Sequence, residues 1–175
     1  MIAFKTQGVL DFFPENKTKK HFKQEEVLAK KVCLITTNCD LHSYYRWFLK
    51  TRFNLFLNPP LRGTHVTIIN DIIRNNDLYK SVANKYQGNK IDFYYEIEPR
   101  SNSEHWWLRA FCPQAESIRE EVGISRIPYF TFHLTLGVVN EKNVEHSKYI
   151  LDCCKRFHLI SNTPRKELED HIILT

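Results

Sequence analysis

One order of segments occurs twice in this chain, and it limits the fold more than any other feature. "VCLITTN" (Val32 to Asn38) is a short β-branched run and predicts a strand. Asp40 then stands where a helix N-cap would, and "LHSYYRWFLKTRF" spaces Leu41, Tyr44, Tyr45, Phe48 and Leu49 as one helical face. "NPP" (Asn58 to Pro60) breaks that helical unit, and the apolar run "RGTHVTIIND" predicts a second strand. The later half repeats the order. "HWWLRAFC" (His105 to Cys112) predicts a strand, Pro113 opens a helix over "PQAESIREEVG" with Gly123 as its stop, and "PYFTFHLTLGVV" (Pro128 to Val139) predicts the closing strand.

A helix near Leu78 to Lys85 and a strand at "IDFYYEIE" (Ile91 to Glu98) lie between the two units, and a helix over Val144 to Phe157 follows them. The tail "RKELEDHIILT" fits a short helix or an arm. The expected fold is α+β: a single domain over 1–175, built as two pseudo-symmetric lobes over about 32–75 and 90–140, with a C-terminal helix and tail over 143–175.

Both closing strands carry His-x-Thr: His65 with Thr67, and His133 with Thr135. Residues two apart on a strand share a face, so each pair points away from the apolar residues between and beside it. Eight histidines and eleven threonines would give about half a His-x-Thr by chance, so the spacing alone is weak. Its recurrence in two corresponding strands is the strong sign. The plain alternative is a pair of half-buried strand histidines, each bonded to a neighbouring threonine. If the strands lie side by side, four polar groups converge. One imidazole can then take a proton from a nucleophile while the other gives one to a leaving oxygen, and the threonine hydroxyls can donate to phosphate oxygens. No metal or other cofactor is required. Gly63 and Gly137, beside the two motifs, are expected to leave room for a ligand.

Composition excludes more than it selects. Lysine plus arginine (25) against aspartate plus glutamate (20) gives +5, which suits an anionic partner without demanding one. Lys17, Lys19, Lys20 and Lys23 cluster near the N-terminus, where a solvated face is the simpler reading. Hydrophobic residues at 42% and charged residues at 26% are globular values. No apolar run reaches the roughly 18 residues of a membrane helix, and the N-terminus lacks the pattern of a secretion signal. Five cysteines without C-x-x-C spacing point to reduced thiols and a cytoplasmic setting, with Cys153 and Cys154 as packing residues. Five glycines and no G-x-x-x-x-G-K argue against a phosphate loop. No zinc-spaced Cys/His cluster and no G-x-S-x-G elbow occurs.

The paired motifs in a duplicated α+β chain resemble the two-histidine phosphoesterase superfamily. The surrounding text, "YYRWFLKTRF", "PPLRGTHVTI", "HWWLRAFCP" and "REEVGISRIPYFTFHLTLG", is similar to that of phage anti-CBASS nucleases, which degrade the cyclic oligonucleotide alarm signals of bacterial defence. The resemblance covers roughly Val32 to Val139. It implies antiparallel sheets around a central cleft, His65, Thr67, His133 and Thr135 as catalytic residues, and a cyclic di- or trinucleotide as substrate. Cleavage of its 3′–5′ bonds would then be metal-independent. It also implies the host bacterial cytoplasm as the setting if the chain is phage-encoded, with no membrane or stable nucleic-acid partner. A homo-oligomer remains open, as do a 2′,3′-cyclic phosphodiesterase or RNA-end-processing activity and a non-catalytic nucleotide- or RNA-binding module.

Bases must also be held. Tyr129, Trp107, Tyr94 and Tyr44 are candidate stacking residues, and Arg62 is a candidate phosphate contact, with core packing or a surface ion pair as the alternative for each. Trp106 and Trp107 must face opposite sides, and Trp107 shares its side with Arg109. Arg46 and Arg109 carry the same ambiguity as Arg62. Glu96 and Glu98 fit either a purine edge or plain solvation.

Overall fold

The computed structural model describes residues 3–14 and 30–156. The Lys17, Lys19, Lys20 and Lys23 cluster, the tail from Leu159, and the side chains of Cys153 and Cys154 lie outside the described residues. Among the described residues, eight strands and four α-helices run in the order β1 (Ala3–Asp11), β2 (Lys30–Thr36), α1 (Leu41–Phe53), β3 (Leu57–Asn58), β4 (His65–Ile72), α2 (Asn76–Tyr86), β5 (Lys90–Glu96), β6 (Arg100–Ser101), β7 (His105–Phe111), α3 (Pro113–Glu121), β8 (His133–Val139) and α4 (Val144–Arg156).

All strand pairings are antiparallel, and six strands close into a ring in the order β8, β4, β2, β1, β5, β7. The short β3 pairs with β8 and the short β6 with β7. The fold is therefore α+β with a closed antiparallel barrel. The strand order is symmetric about the β4–β8 contact. β2 flanks β4 and β7 flanks β8, while β1 and β5 meet on the far side.

Apolar residues of the strands face the helices. Val66, Ile68, Leu134 and Leu136 form one buried cluster with Tyr45 and Leu49 of α1 and Ala115 and Ile118 of α3. The helices cross between halves, since α1 packs on β8 and α3 on β4. A ring of six strands has no room inside for helices, so the helix-covered face is the outer one. The cross-packing is reinforced by hydrogen bonds. Arg119 of α3 donates to the Ile68 carbonyl at 2.6 Å and to Asp71 at 3.0 Å, and Arg46 of α1 donates to the Leu57 carbonyl at 2.9 Å. This settles Arg46 as a packing contact.

Helix ends follow from local chemistry. Asn54 ends α1 in the left-handed conformation with its N–H on the Lys50 carbonyl, and the Asn75 side chain accepts from the Leu78 N–H at the start of α2. Asp40 departs from the expectation: its side chain makes no cap bond and instead faces His42 at 3.2 Å.

β1 has no counterpart in the reading of the sequence. "AFKTQGVLD" buries only Gly8 and Leu10 fully and shows polar residues along much of its length, so no clean period of two marks it. It is a strand because β5 pairs with it continuously from Ala3 to Val9. Gly8 allows the close approach of β2, since a Cβ there would lie 2.7 Å from the Thr36 carbonyl oxygen. Gly137 corrects a second expectation. A Cβ on it would lie 2.5 Å from the Asn58 carbonyl oxygen and 2.8 Å from Leu57 Cβ, so the missing side chain admits β3 and not a ligand.

Candidate active site

Val66 of β4 pairs with Leu134 of β8, and both side chains are fully buried on the helix side. Stepping one residue each way along an antiparallel pair sets His65 beside Thr135 and Thr67 beside His133, all on the opposite face. Directly opposed side chains stand about 4.5–5.5 Å apart at Cβ, and diagonal ones about 7–8 Å. The two imidazoles therefore occupy one diagonal of a four-residue patch and the two hydroxyls the other. All four side chains are half-buried.

The two histidines are held alike. Nδ1 of His65 lies 2.9 Å from the Gly63 carbonyl oxygen, and Nδ1 of His133 lies 2.8 Å from that of Thr131, two residues earlier in each case. A carbonyl only accepts, so each Nδ1 carries the proton and donates it. Each Nε2 is thereby left as the working nitrogen, a lone pair in the neutral ring and an N–H in the protonated one. Neither ring uses a threonine as partner, so the plain alternative of a His–Thr bond does not describe these residues. Gly63, expected to leave room for a ligand, supplies the carbonyl that orients His65.

The surroundings of the two rings differ. Burial lowers the His65 pKa below its ordinary 6.5, opposed by the bond to Gly63 and joined by the nearby charges of Arg62, His133 and His42. His65 is therefore neutral at pH 7. Thr36 lies opposite it on β2, and Leu34 lies opposite Thr67. His133 instead faces Arg109 across β7, and Trp107 lies opposite Thr135 with its ring centroid 6.3 Å from that of His133.

Behind Arg109 stands Glu96, whose side chain is fully buried. Arg100 donates two bonds to it, at 3.0 and 2.8 Å, and Arg109 Nη1 lies 3.7 Å from its other oxygen. Burial holds the Glu96 pKa above its ordinary value, against the opposing pull of the two arginines. Solvated strand carboxylate is thus the wrong description of Glu96. Arg109, at 9% side-chain exposure, is a buried ion-pair partner beside His133.

The secondary candidates divide. Trp107 shares the histidine face, and Trp106 points the other way into the core, where its indole donates to Ser147 at 3.0 Å. Tyr94 pairs with Phe111, which shares its strand side with Arg109, so it lies on the histidine face one strand beyond β7. Arg62 stands beside the first motif, close enough to act on His65. Tyr129 is almost fully exposed, edge-on to Phe130 at 4.9 Å, four residues before His133. Tyr44 does not join this group: it sits on α1, half-exposed, edge-on to Tyr45.

Reading by motif overlooked His42. Its Nδ1 lies 2.7 Å from the hydroxyl of Thr64, the residue before His65. A lone histidine in the first turn of a helix carries no spacing that would flag it. Among the described residues no group of three or more His, Cys, Asp or Glu is arranged to hold a metal. The thiols of Cys33 and Cys112 are buried, the latter pushed up to about 11, so neither presents a thiolate near neutral pH.

Fold and site together define a closed antiparallel α+β barrel that displays two matched histidine–threonine pairs on the face away from its helices. Comparison with protein-family models, with curated proteins and with solved structures returns no match for the chain. Among the described residues, no helix is long and apolar enough to cross a membrane.

Proposed function

We propose that this protein is a metal-independent phosphodiesterase of the two-histidine type, its ring of strands serving as two lobes about a cleft where the four motif residues meet. The single observation that carries the reading is the matched orientation of the two imidazoles, each with Nδ1–H on a carbonyl and Nε2 free, set on one diagonal with two hydroxyls on the other.

In this reading His65, kept neutral by burial, is the base and His133 the acid. Nε2 of His65 takes the proton of a ribose 2′-hydroxyl, and the 2′-oxygen forms a bond to the adjacent phosphorus. The bond from phosphorus to the 5′-oxygen breaks, and that oxygen takes the proton from Nε2 of His133. A cyclic substrate opens to a linear product ending in a 2′,3′-cyclic phosphate. Water can then hydrolyse that end, with the histidines in exchanged roles. Thr67 and Thr135 donate to the non-bridging oxygens as charge builds. Trp107, and Tyr129 with Phe130, offer aromatic faces for the bases.

The substrate class is a cyclic di- or trinucleotide messenger such as 3′,3′-cyclic GMP–AMP. The setting is the cytoplasm of a bacterium whose antiviral signalling a phage must silence. The substrate rests on the resemblance of the motifs and their flanking text, not on the geometry. The test is incubation of the purified protein with 3′,3′-cyclic GMP–AMP in EDTA, alongside His133→Ala, with products read by mass. Linear product from the wild type alone supports the reading. Ligand bound but uncut would make the protein a sponge. Cleavage only of oligonucleotides ending in a 2′,3′-cyclic phosphate would make it an RNA-end enzyme.

A further inference from the structure

The residue before each motif histidine meets a different anchor in the two halves. Phe132, before His133, is buried in the apolar cluster, and its carbonyl accepts a ladder bond from the Ala110 N–H at 2.8 Å. That pins the backbone between His133 and Thr131, whose carbonyl takes the His133 Nδ1–H. Thr64 occupies the same place before His65. It is buried too, at 6% exposure, but it brings no large apolar side chain, and its carbonyl accepts only a long 3.4 Å bond from the Thr37 N–H.

Gly63, whose carbonyl holds His65, has little of its own to fix it. Its φ is +68°, and a Cβ there would meet nothing within 4 Å, so nothing packs over its Cα on that side. Its N–H reaches the Pro60 carbonyl at 3.2 Å, within its own turn. Among the described residues, the shortest tie from this turn to another part of the fold is made by the Thr64 hydroxyl, 2.7 Å from His42 Nδ1 at the start of α1. The His42 backbone N–H points at the same oxygen, at 3.5 Å, and Asp40 Oδ1 lies 3.2 Å from the same Nδ1. A carboxylate only accepts, so Nδ1 carries the proton and donates it to Thr64, with Asp40 as a second acceptor.

We infer that His42 is the positioning residue of the first half: it holds Thr64, and so the Gly63 carbonyl that sets the His65 ring. It stands in for the apolar anchor that Phe132 gives the second half. Strand alternation turns the Thr64 side chain away from the histidine face, so His42 acts from behind the strand and outside the substrate's reach. The part of the inference that concerns catalysis rests on the phosphodiesterase reading, in which His65 is the base. The part that concerns the ring does not.

Nitrogen NMR of the histidine rings in the full chain tests it. In the wild type the neutral rings of His65 and His133 should both show the Nδ1–H form. His42→Ala should release His65 alone, bringing in the Nε2–H form, and leave the His133 signals in place. Thr64→Val, the same shape without the hydroxyl, should do the same, and the double variant should go no further than either single one, because both remove one bond. His42→Asn should restore the wild-type pattern, since its amide nitrogen stands where Nδ1 stands on the side chain. His42→Gln, whose nitrogen stands one bond further out like Nε2, should not. With 3′,3′-cyclic GMP–AMP, His42→Ala should lower kcat by up to about 10²-fold with KM little changed, the scale of a misplaced catalytic group, and His42→Asn should recover most of it. An unchanged His65 pattern in His42→Ala and Thr64→Val would overturn the inference, as would equal disturbance of His65 and His133. A released His65 ring with full kcat would overturn its part in the reaction. A wild type that cuts nothing, with the His65 ring still released as stated, would remove the phosphodiesterase reading and leave the positioning role standing.

Discussion

His65 and His133 are set alike and surrounded differently. Each opens a strand, each is clamped through Nδ1 to the carbonyl two residues earlier, and each lies beside the other half's threonine. Beyond that, the first half offers Thr36 and Leu34, while the second offers Trp107 and an arginine braced by a fully buried carboxylate. The match is local: in each case the histidine opens a strand and the carbonyl two residues earlier holds its ring. The divergent neighbours give two identical side chains different surroundings, and burial lowers the pKa of His65.

The comparison breaks most directly at the pair itself. His65→Ala and His133→Ala should each lower turnover by about 10²–10⁴-fold, the usual contribution of a positioned acid or base. Both should leave the thermal transition nearly in place, because the half-buried rings bond only to loop carbonyls. A loss confined to one histidine would end the matched-pair account. Next in size is the brace behind His133. Arg100→Ala leaves the buried Glu96, among the described residues, with only the distant Arg109 and should destabilise the fold by roughly 3 kcal/mol in chemical denaturation. Lys148→Ala breaks an exposed pair with Glu145 and should cost about 0.5 kcal/mol or less.

An effect between those two separates β8 from β4, since only β8 has the short β3 pressed against it. Gly137→Ala drives a Cβ into the Asn58 backbone and should cost about 1–3 kcal/mol, read as a shift in the denaturation midpoint. The smallest effect is in pH. The folded His65 pKa is depressed, so its contribution to stability is complete above 6.5 and is lost as pH falls through the lower folded value. His65→Gln should therefore lose less melting temperature between pH 7.5 and pH 5 than the wild type, with both pH values approximate choices that bracket the ordinary histidine range.

What could be read from the sequence followed the strength of local pattern. α1 was legible to its end residues because Leu41, Tyr45 and Leu49 repeat at helical spacing, and α3 because Pro113 and Gly123 bracket it. The four motif residues were legible on one face because strand parity puts each pair there and the motif recurs in a second strand. β1 was not, since its identity lies in pairing with β5, a contact about 85 residues away in sequence. Closure of the sheet into a ring was hidden for the same reason. Glu96 looked solvated because an alternating strand carboxylate carries no sign of burial, and only the fold brings Arg100 and Arg109 onto it. Gly137 misled because strand parity ignores the slipped register between Trp106 and Trp107, which sets Gly137 opposite Trp106 on the helix side.

The most direct test of the two-histidine account is kcat/KM for 3′,3′-cyclic GMP–AMP across pH, measured in EDTA. The account predicts a bell: an acid limb below 6.5, where His65 loses its function as base, and an alkaline limb where the general acid is lost. His65→Ala should erase the acid limb in whatever residual activity remains. A flat profile, or activity that vanishes in EDTA and returns with added metal, would contradict it.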